Sequence, residues 1–363
     1  MRVVLSGYYG FHNVGDEAIL QAIIEALRTE KRDIEITVLS NNPEYTKKTY
    51  GVDAVNRWKL GQVIKAIAAA DGVISGGGSL LQDKTGLKSV PYYTGIMMIA
   101  RYLRKPFFVY AQGIGPLEKS ISRKLVKFAV TKANFLSVRD QESFDLLRTV
   151  GVGGQIELVP DPVMGMEYKK GLNHAWLEKE GLVGESEESF ITVAIRDWPS
   201  PSFPDFKKKI VEVLDRCSTV GYKVVFLPMH GEHDDAFSRE IMAAMKNNAF
   251  IFPYNASIEE KISLIGDSSL LIGMRLHALI FAAIAHTPMV GISYDPKIDS
   301  FIKQVGQPLI GHVDEEWSVD DLYKLIGMQL TEQKKQVELL KKKAIPLQQE
   351  ANETVKKVIG LLS

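Results

Sequence analysis

The chain has 363 residues, 45% hydrophobic and 24% charged, the proportions of a globular protein able to bury large cores. That length sets an expectation of two domains. Lys plus Arg and Asp plus Glu both number 44, a net charge of zero that argues against a nucleic-acid binder working by bulk electrostatics. The single cysteine, Cys217, leaves no internal disulfide, and no Cys/His cluster has zinc spacing.

The chain opens on the strand-like Met1-Arg2-Val3-Val4-Leu5, without a basic region and apolar stretch ending in a cleavage site. No run approaches about 18 uninterrupted apolar residues, so a cytoplasmic location is expected. Short apolar runs then alternate with amphipathic stretches, the pattern of parallel α/β layers. Strands are predicted at 2–6, 34–39, 72–75, 106–111, 135–138 and 156–158, and helices at 16–28, 60–70, 91–103, 121–133 and 141–150. The helix over 16–28 sets Ile19, Ala22, Ile23, Ala26 and Leu27 on one face. Pro160-Asp161-Pro162 with Gly165 breaks the pattern, and 169–184 is polar and irregular, which places a domain junction after residue 168.

The second half repeats the design over 169–345. Strands are predicted at 190–195, 223–227, 250–252, 270–272 and 288–292, with helices at 205–219, 236–247, 258–266, 276–285 and 298–305. After residue 318 the pattern is helical, with a Lys-rich stretch and, beyond Pro346, a last amphipathic helix over 346–363. The expected architecture is two Rossmann-like doubly wound α/β domains facing a cleft, with C-terminal helices. Ligands in such sheets bind at the carboxyl ends of strands, and every unusual segment of this sequence falls there.

The first such segment is Gly7-Tyr8-Tyr9-Gly10-Phe11-His12-Asn13-Val14-Gly15-Asp16-Glu17. Its glycines let backbone amides approach a ligand, but the spacing is not G-x-G-x-x-G and aromatic residues fill the loop. Tyr9, His12 and Asn13 beside the carboxylate of Asp16 suit a sugar, whose faces stack on rings and whose hydroxyls need polar partners. The alternative is a helix cap, with Asp16 and Glu17 complementing the macrodipole. Gly77 and Gly78 in Gly76-Gly77-Gly78-Ser79, and Gln112 in Gln112-Gly113-Ile114-Gly115-Pro116, either hold an anion or sugar oxygen or simply pack a strand-to-helix turn. Arg139 follows another strand and either enters the cleft or pairs locally, while Asp140 is expected to cap a helix.

In the second half Arg196, Arg275 and His277 stand at strand ends, with Lys297 at another. Two arginines there form a clamp for a ligand carrying both carboxylate and phosphate. The loop Met229-His230-Gly231-Glu232-His233-Asp234-Asp235 lacks H-E-x-x-H spacing, so it is read as lining the cleft through His230, with Asp234 and Asp235 starting a helix and no metal. Lys334, Lys335 and Lys341 to Lys343 form a basic helical face, solvated by default and suited to an anionic membrane surface if the substrate is lipid-borne.

Gly7-Tyr8-Tyr9-Gly10, Asn13-Val14-Gly15-Asp16-Glu17-Ala18, Gly76-Gly77-Gly78-Ser79, Gln112-Gly113-Ile114-Gly115-Pro116, Arg139-Asp140 with Ser143, Asp161-Pro162 and Arg275-Leu276-His277 occur in that order. Together they resemble the polysaccharide pyruvyltransferase family across nearly the whole chain, and within it the enzymes that pyruvylate secondary cell-wall polymer for S-layer anchoring. The resemblance implies a GT-B-like fold, phosphoenolpyruvate as donor substrate with no cofactor, and a lipid-linked acceptor containing N-acetylmannosamine. It implies that Arg275-Leu276-His277 and Arg196 hold the donor; from their own positions Lys297 and His230 are expected as further contacts. His277 is then the expected acid–base group beside the donor and Asp16 the expected base for an acceptor hydroxyl.

Two other classes fit less well. A GT-B glycosyltransferase using a nucleotide sugar needs a carboxylate for the ribose diol, and only Asp295 is placed for it. A two-lobed solute-binding protein needs a secretion signal.

Overall fold

The computed structural model describes residues 1–84, 86, 88–182, 189–198 and 205–362; residues 183 and 184, at the end of the polar segment, fall outside these. Among the described residues thirteen strands form two sheets. The first holds β1 (Arg2–Tyr9), β2 (Glu35–Ser40), β3 (Asp53–Asn56), β4 (Gly72–Gly76), β5 (Phe107–Gln112), β6 (Phe135–Val138) and β7 (Glu157–Leu158) in the order β3-β2-β1-β4-β5-β6-β7. The second holds β8 (Phe190–Ala194), β9 (Lys223–Phe226), β10 (Ala249–Ile251), β11 (Leu270–Gly273), β12 (Met289–Ser293) and β13 (Leu309–His312) in the order β10-β9-β8-β11-β12-β13. Every pairing is parallel. Both orders reverse beside their first strand, giving one switch point between β1 and β4 and another between β8 and β11.

Central strands are buried on both faces, as parallel strands covered by helices must be: all six residues of β5 are buried, and so are all of β8, β11 and β12. Each sheet has its own core. Val4, Val73, Met97, Phe107 and Val109 belong to the first, and Ile191, Phe226, Ile272, Val290 and Trp317 to the second.

Helix starts follow from local chemistry. Asn13 caps the helix Val14–Glu30 by accepting from the Gly15 N–H, with Asp16 and Glu17 in its positive first turn. Asp140 caps Gln141–Val150 through the Ser143 N–H at 2.7 Å, as its sequence context predicts. Several elements escape the sequence pattern, among them the helix His174–Lys179 inside the polar segment. The edge strands β3 and β13 are mostly half-buried and carry no apolar run, and the helix Pro43–Tyr50 buries only Thr46 and Tyr50.

The chain divides into two compact units, Met1–Met166 with Leu347–Ser363, and Glu167–Pro346. The expected helix break at Pro346 does not occur, because a single helix runs from Gln333 to Leu362 with Pro346 inside it. An interior proline costs about 3 kcal/mol through its missing N–H and ring clash. Burial of Leu340 and Ala344 on one side of it and of Ala351, Val355 and Val358 on the other offsets that cost. Within the first unit, Gln348 donates to the Met166 carbonyl at 3.1 Å and Lys357 pairs with Glu157 at 2.7 Å. Among the described residues no helix is long and apolar enough to cross a membrane.

Candidate active site

In the first unit the loop after β1 is tied down by Glu17, which is buried and accepts from the Gly10 N–H and the Tyr50 hydroxyl, each at 2.8 Å. Asp16, one residue earlier, is part-exposed at the mouth of the β1/β4 switch point. Packing around its carboxyl strips away solvent and pushes its pKa up to about 7, against the pull of Arg139 and helped by Glu17 and Asp161. The glycine turn after β4 makes this closeness possible. Gly78 has φ +65, and a Cβ there would lie 2.5 Å from Asp16 Oδ1; a Cβ on Gly77 would lie 2.0 Å from Ile19 Cγ2. Both glycines therefore serve the close approach of the first helix.

Behind this turn, Arg139 forms a buried ion pair with Asp161, and Asp140 lies 4.0 Å from its Nε. Arg139 thus pairs locally, and a Cβ on Gly113 would lie 3.2 Å from its Nε and 3.0 Å from Ser79 Oγ. Gln112 ends β5 fully buried, and neither its Nε2 nor its Oε1 has a hydrogen-bond partner among the described residues. Tyr9 corrects the sequence reading. It is the last residue of β1, it is 1% exposed, and its hydroxyl donates to the Gly76 carbonyl at 2.7 Å, so it belongs to the core. The neighbouring ring that reaches solvent is Tyr8. His12 is exposed at φ 60 with its ring edge-on to Tyr45, and Asn13 spends its side-chain oxygen on the helix cap.

In the second unit Arg275 immediately precedes the helix Leu276–Ala285 just after β11, without a side-chain bond to the helix start, and His277 lies in the first turn. The leading N–H groups of that helix have no intrahelical acceptor, so its start favours an anion. The Arg275 guanidinium is committed to Asp234, which is 2% exposed at its side chain: Nε donates to Oδ2 at 2.9 Å and Nη2 pairs with Oδ1. The expected clamp of two available arginines is therefore one internally neutralised arginine and one that is not. Arg196, two residues past β8, has no carboxylate partner among the described residues and lies over the rings of Tyr294 at 4.9 Å and Trp198 at 5.4 Å.

His230 follows β9, with its ring parallel to that of His233 at 5.5 Å. Burial lowers its pKa below the usual histidine range, and Arg275 and Arg196 both push it further down. Their charges therefore reach the same imidazole, which stays neutral near pH 7. Lys297 sits in the first turn of the helix Pro296–Val305 after β12, part-exposed, with its N–H held by Asp295 at 3.0 Å. Asp295 is thus a helix cap. Among the described residues no group of three or more His, Cys, Asp or Glu side chains is arranged to hold a metal ion.

A family model described as polysaccharide pyruvyl transferase matches residues 13–296. The chain belongs to that family. Every candidate from Asn13 to His277 lies inside the matched span of this polysaccharide pyruvyl transferase, while His12 and Lys297 fall just outside it. It is 22% identical to the amylovoran biosynthesis protein AmsJ of Erwinia amylovora, over 85% of this chain and 87% of that one. Its fold matches solved structures at low identity. A putative UDP-N-acetylglucosamine 2-epimerase from Listeria monocytogenes aligns with TM-score 0.66 at 13% identity, covering 99% of this chain and 94% of that one. The ADP-heptose lipopolysaccharide heptosyltransferase II of E. coli aligns with TM-score 0.54 at 14% identity, over 92% and 100%. These likenesses show the two-domain Rossmann-like, GT-B-type fold.

The sequence does not point to Asp234 and Asp161 as the carboxylates that hold Arg275 and Arg139. Locally Asp234 reads as a helix start and Asp161 as part of a pattern break, yet each is a buried acid beside a proline- or glycine-marked turn. Trp198 and Tyr294, the rings that frame Arg196, give no periodic signal.

Proposed function

We propose that this transferase moves the enolpyruvyl group of phosphoenolpyruvate to a sugar of a lipid-linked cell-wall polysaccharide precursor, forming a pyruvate ketal and releasing phosphate. The sugar is N-acetylmannosamine, in a secondary cell-wall polymer of the kind that anchors an S-layer. The reading is supported by one observation: Arg196, without a carboxylate partner among the described residues, follows β8, and Arg275 follows β11 across the switch point, in a chain matched as a pyruvyl transferase over residues 13–296. Phosphoenolpyruvate carries a carboxylate and a phosphate, and charge-assisted bonds from arginine suit both. Arg196 supplies net charge, Asp234 fixes the direction of the Arg275 fork, and neutral His230 donates or accepts a hydrogen bond. Lys297 adds a cation at the next strand end.

The chemistry needs a proton on the methylene carbon, which His277 gives as general acid. A sugar hydroxyl adds to the adjacent carbon and passes its proton through Asp16 to the departing phosphate, with the carbon–oxygen bond to phosphate breaking. A second sugar hydroxyl then closes the ketal, returning a proton to His277. Asn13, His12 and Gln112 stand on the acceptor side, with Gly77 and Gly78 beside Asp16 and Arg139, paired with Asp161, drawing on the Asp16 carboxyl from behind. Attack occurs at carbon, so the proposal calls for no cofactor. The working location is the cytoplasm, with peripheral contact at the membrane through the Lys-rich helix.

The deciding experiment incubates the protein with phosphoenolpyruvate and an N-acetylmannosamine-containing disaccharide. Phosphate release and a product heavier by pyruvate minus water are expected. Nucleotide release from UDP-N-acetylglucosamine, with phosphoenolpyruvate untouched, would overturn the reading in favour of a glycosyltransferase.

A further inference from the structure

Arg57 is 4% exposed and has no ion-pair partner among the described residues. It sits directly after β3, and four rings stand around its guanidinium carbon: Tyr92 at 4.3 Å, Trp58 at 5.1 Å, Phe11 at 5.3 Å and Tyr93 at 5.4 Å. One guanidinium nitrogen donates to the Gly7 carbonyl at 2.8 Å and another to the Tyr93 hydroxyl at 3.1 Å. Burying an arginine without a carboxylate is costly, and the surrounding π faces supply part of the compensation. The result is a braced aromatic cluster. Phe11 in turn stacks on Tyr8, centroids 3.9 Å apart and planes 4° from parallel. Trp58 is fixed at its other edge, where its indole N–H donates to Asn41 Oδ1 at 2.9 Å.

The cluster is not closed off from water. Trp58 is 60% exposed and Tyr8 40% exposed, far more than large rings in a core. Both lie at the carboxyl ends of strands, β3 and β1, on the ligand edge of the first sheet. The charge of Asp16 reaches Tyr8, so the exposed ring neighbours the group assigned to the acceptor hydroxyl. Rigid rings with an apolar face and polar neighbours such as Asn41 match a pyranose, which offers C–H groups on one face and hydroxyls at its rim. Because the rings are already ordered, binding forfeits little side-chain entropy.

We propose that Trp58 and Tyr8 form a saccharide-stacking subsite that holds a pyranose of the acceptor chain next to the sugar being modified. The assignment rests on the pyruvyl-transfer reading for its choice of ligand and extends acceptor recognition beyond the modified sugar to its neighbour. Trp58→Ala also takes one π face from Arg57 and Tyr8→Ala removes the ring stacked on Phe11, so a thermal melt of each variant separates loss of packing from loss of binding, and Trp58→Phe keeps a ring over Arg57.

The test titrates an N-acetylmannosamine-containing disaccharide into the protein without phosphoenolpyruvate, by calorimetry, and separately measures phosphate release. Trp58→Ala and Tyr8→Ala are expected to weaken disaccharide binding roughly tenfold, the size of one aromatic contact of about 1.4 kcal/mol. Trp58→Phe should stay within about threefold of the wild type, since a ring face remains. In turnover, the KM for the disaccharide should rise in the alanine variants while the KM for phosphoenolpyruvate holds. Disaccharide binding unchanged in both alanine variants, or absent in the wild type, overturns the subsite. If the variants weaken binding but the wild type releases no phosphate from phosphoenolpyruvate, the subsite stands and the pyruvyl-transfer reading falls. Phosphate release with the disaccharide KM unmoved in both alanine variants does the reverse: the subsite falls and pyruvyl transfer stands.

Discussion

Each sheet places a buried arginine–aspartate pair at its ligand edge, Arg139 with Asp161 in the first unit and Arg275 with Asp234 in the second. The groups added to that shared motif differ in sign. Asp16 and Glu17 join the first pair, whereas Arg196 joins the second, where it reaches the same histidine as Arg275. One strand order therefore carries an acidic, aromatic edge in one unit and a cationic edge in the other. Titratable groups respond in opposite directions: Asp16 is pushed up to about 7, and His230 is pushed below its ordinary value. Both shifts move the group toward its neutral form, which is what burial does to acids and bases alike. Function sits in what decorates the strand ends, not in the scaffold that the chain shares with epimerases and a heptosyltransferase.

The largest effect should come from breaking the cationic edge. Arg275→Ala removes the proposed donor contact and leaves Asp234 as an unpaired buried charge, a loss of about 3–5 kcal/mol for such pairs. The expected fall in kcat/KM for phosphoenolpyruvate is about 1000-fold, with a lowered melting temperature. Arg196→Ala should cost less in stability, since no carboxylate is orphaned, while still raising the KM for phosphoenolpyruvate. Equal destabilisation by both would show that the two arginines do the same structural work. Next in size is His277→Gln, expected to lower kcat by about 100-fold with the donor KM little changed. Near-full turnover in this variant would remove His277 from the acid–base role.

Asp16 sharpens the comparison through pH. A base with a pKa of about 7 is competent only when ionised, so kcat/KM for the acceptor should rise with pH through neutrality, until loss of the proton that His277 must give brings it down again. Asp16→Asn should flatten that limb. Stability gives an independent check of sign. The folded carboxyl holds its proton more tightly than the unfolded one, so the folded protein loses stability as pH climbs from the usual carboxylate range through about 7. Asp16→Asn is therefore expected to raise the melting temperature more at pH 8 than at pH 5. A gap of the same size at both values would mean the carboxyl titrates normally.

Much of this arrangement is legible in the sequence, and the reasons for the exceptions are physical. Strands buried on both faces, such as β5 with Phe107 to Gln112, leave an apolar run that no surface element produces. Edge strands such as β3 do not, because one side meets solvent. The apolar run of β1 ends at residue 6, which puts Tyr9 in a ligand loop on pattern alone. The strand continues to Tyr9, whose ring is buried while that of Tyr8 reaches solvent. The glycines at 77 and 78 are recognisable, but whether they touch a ligand or admit a helix depends on Ile19 and Asp16, which the chain brings from another element. Arg275 finds its carboxylate 41 residues away and Arg139 finds its own 22 away, separations at which no local pattern names a partner.

The weakest expected effect belongs to neither strand-end cluster. Lys334, Lys335, Lys341, Lys342 and Lys343 lie on the helix Gln333–Leu362, where Lys335 pairs with Glu332 at 2.7 Å and Lys341 with Glu338 at 3.0 Å. Exposed pairs of this kind contribute about 0–1 kcal/mol, so the lysines can exchange those partners for anionic lipid at little cost. Near a charged bilayer these lysines add an attraction that acts only at short range, screened within a Debye length. Replacing all five with glutamine should reduce sedimentation with phosphatidylserine vesicles and raise the KM for a lipid-linked acceptor by about threefold, leaving the KM for a soluble disaccharide unchanged. Raising the salt should erase the difference between variant and wild type, because a surface attraction is screened while the buried pairs at the strand ends are not. An equal rise in KM for the soluble acceptor would place these lysines with the folded structure, not with a membrane.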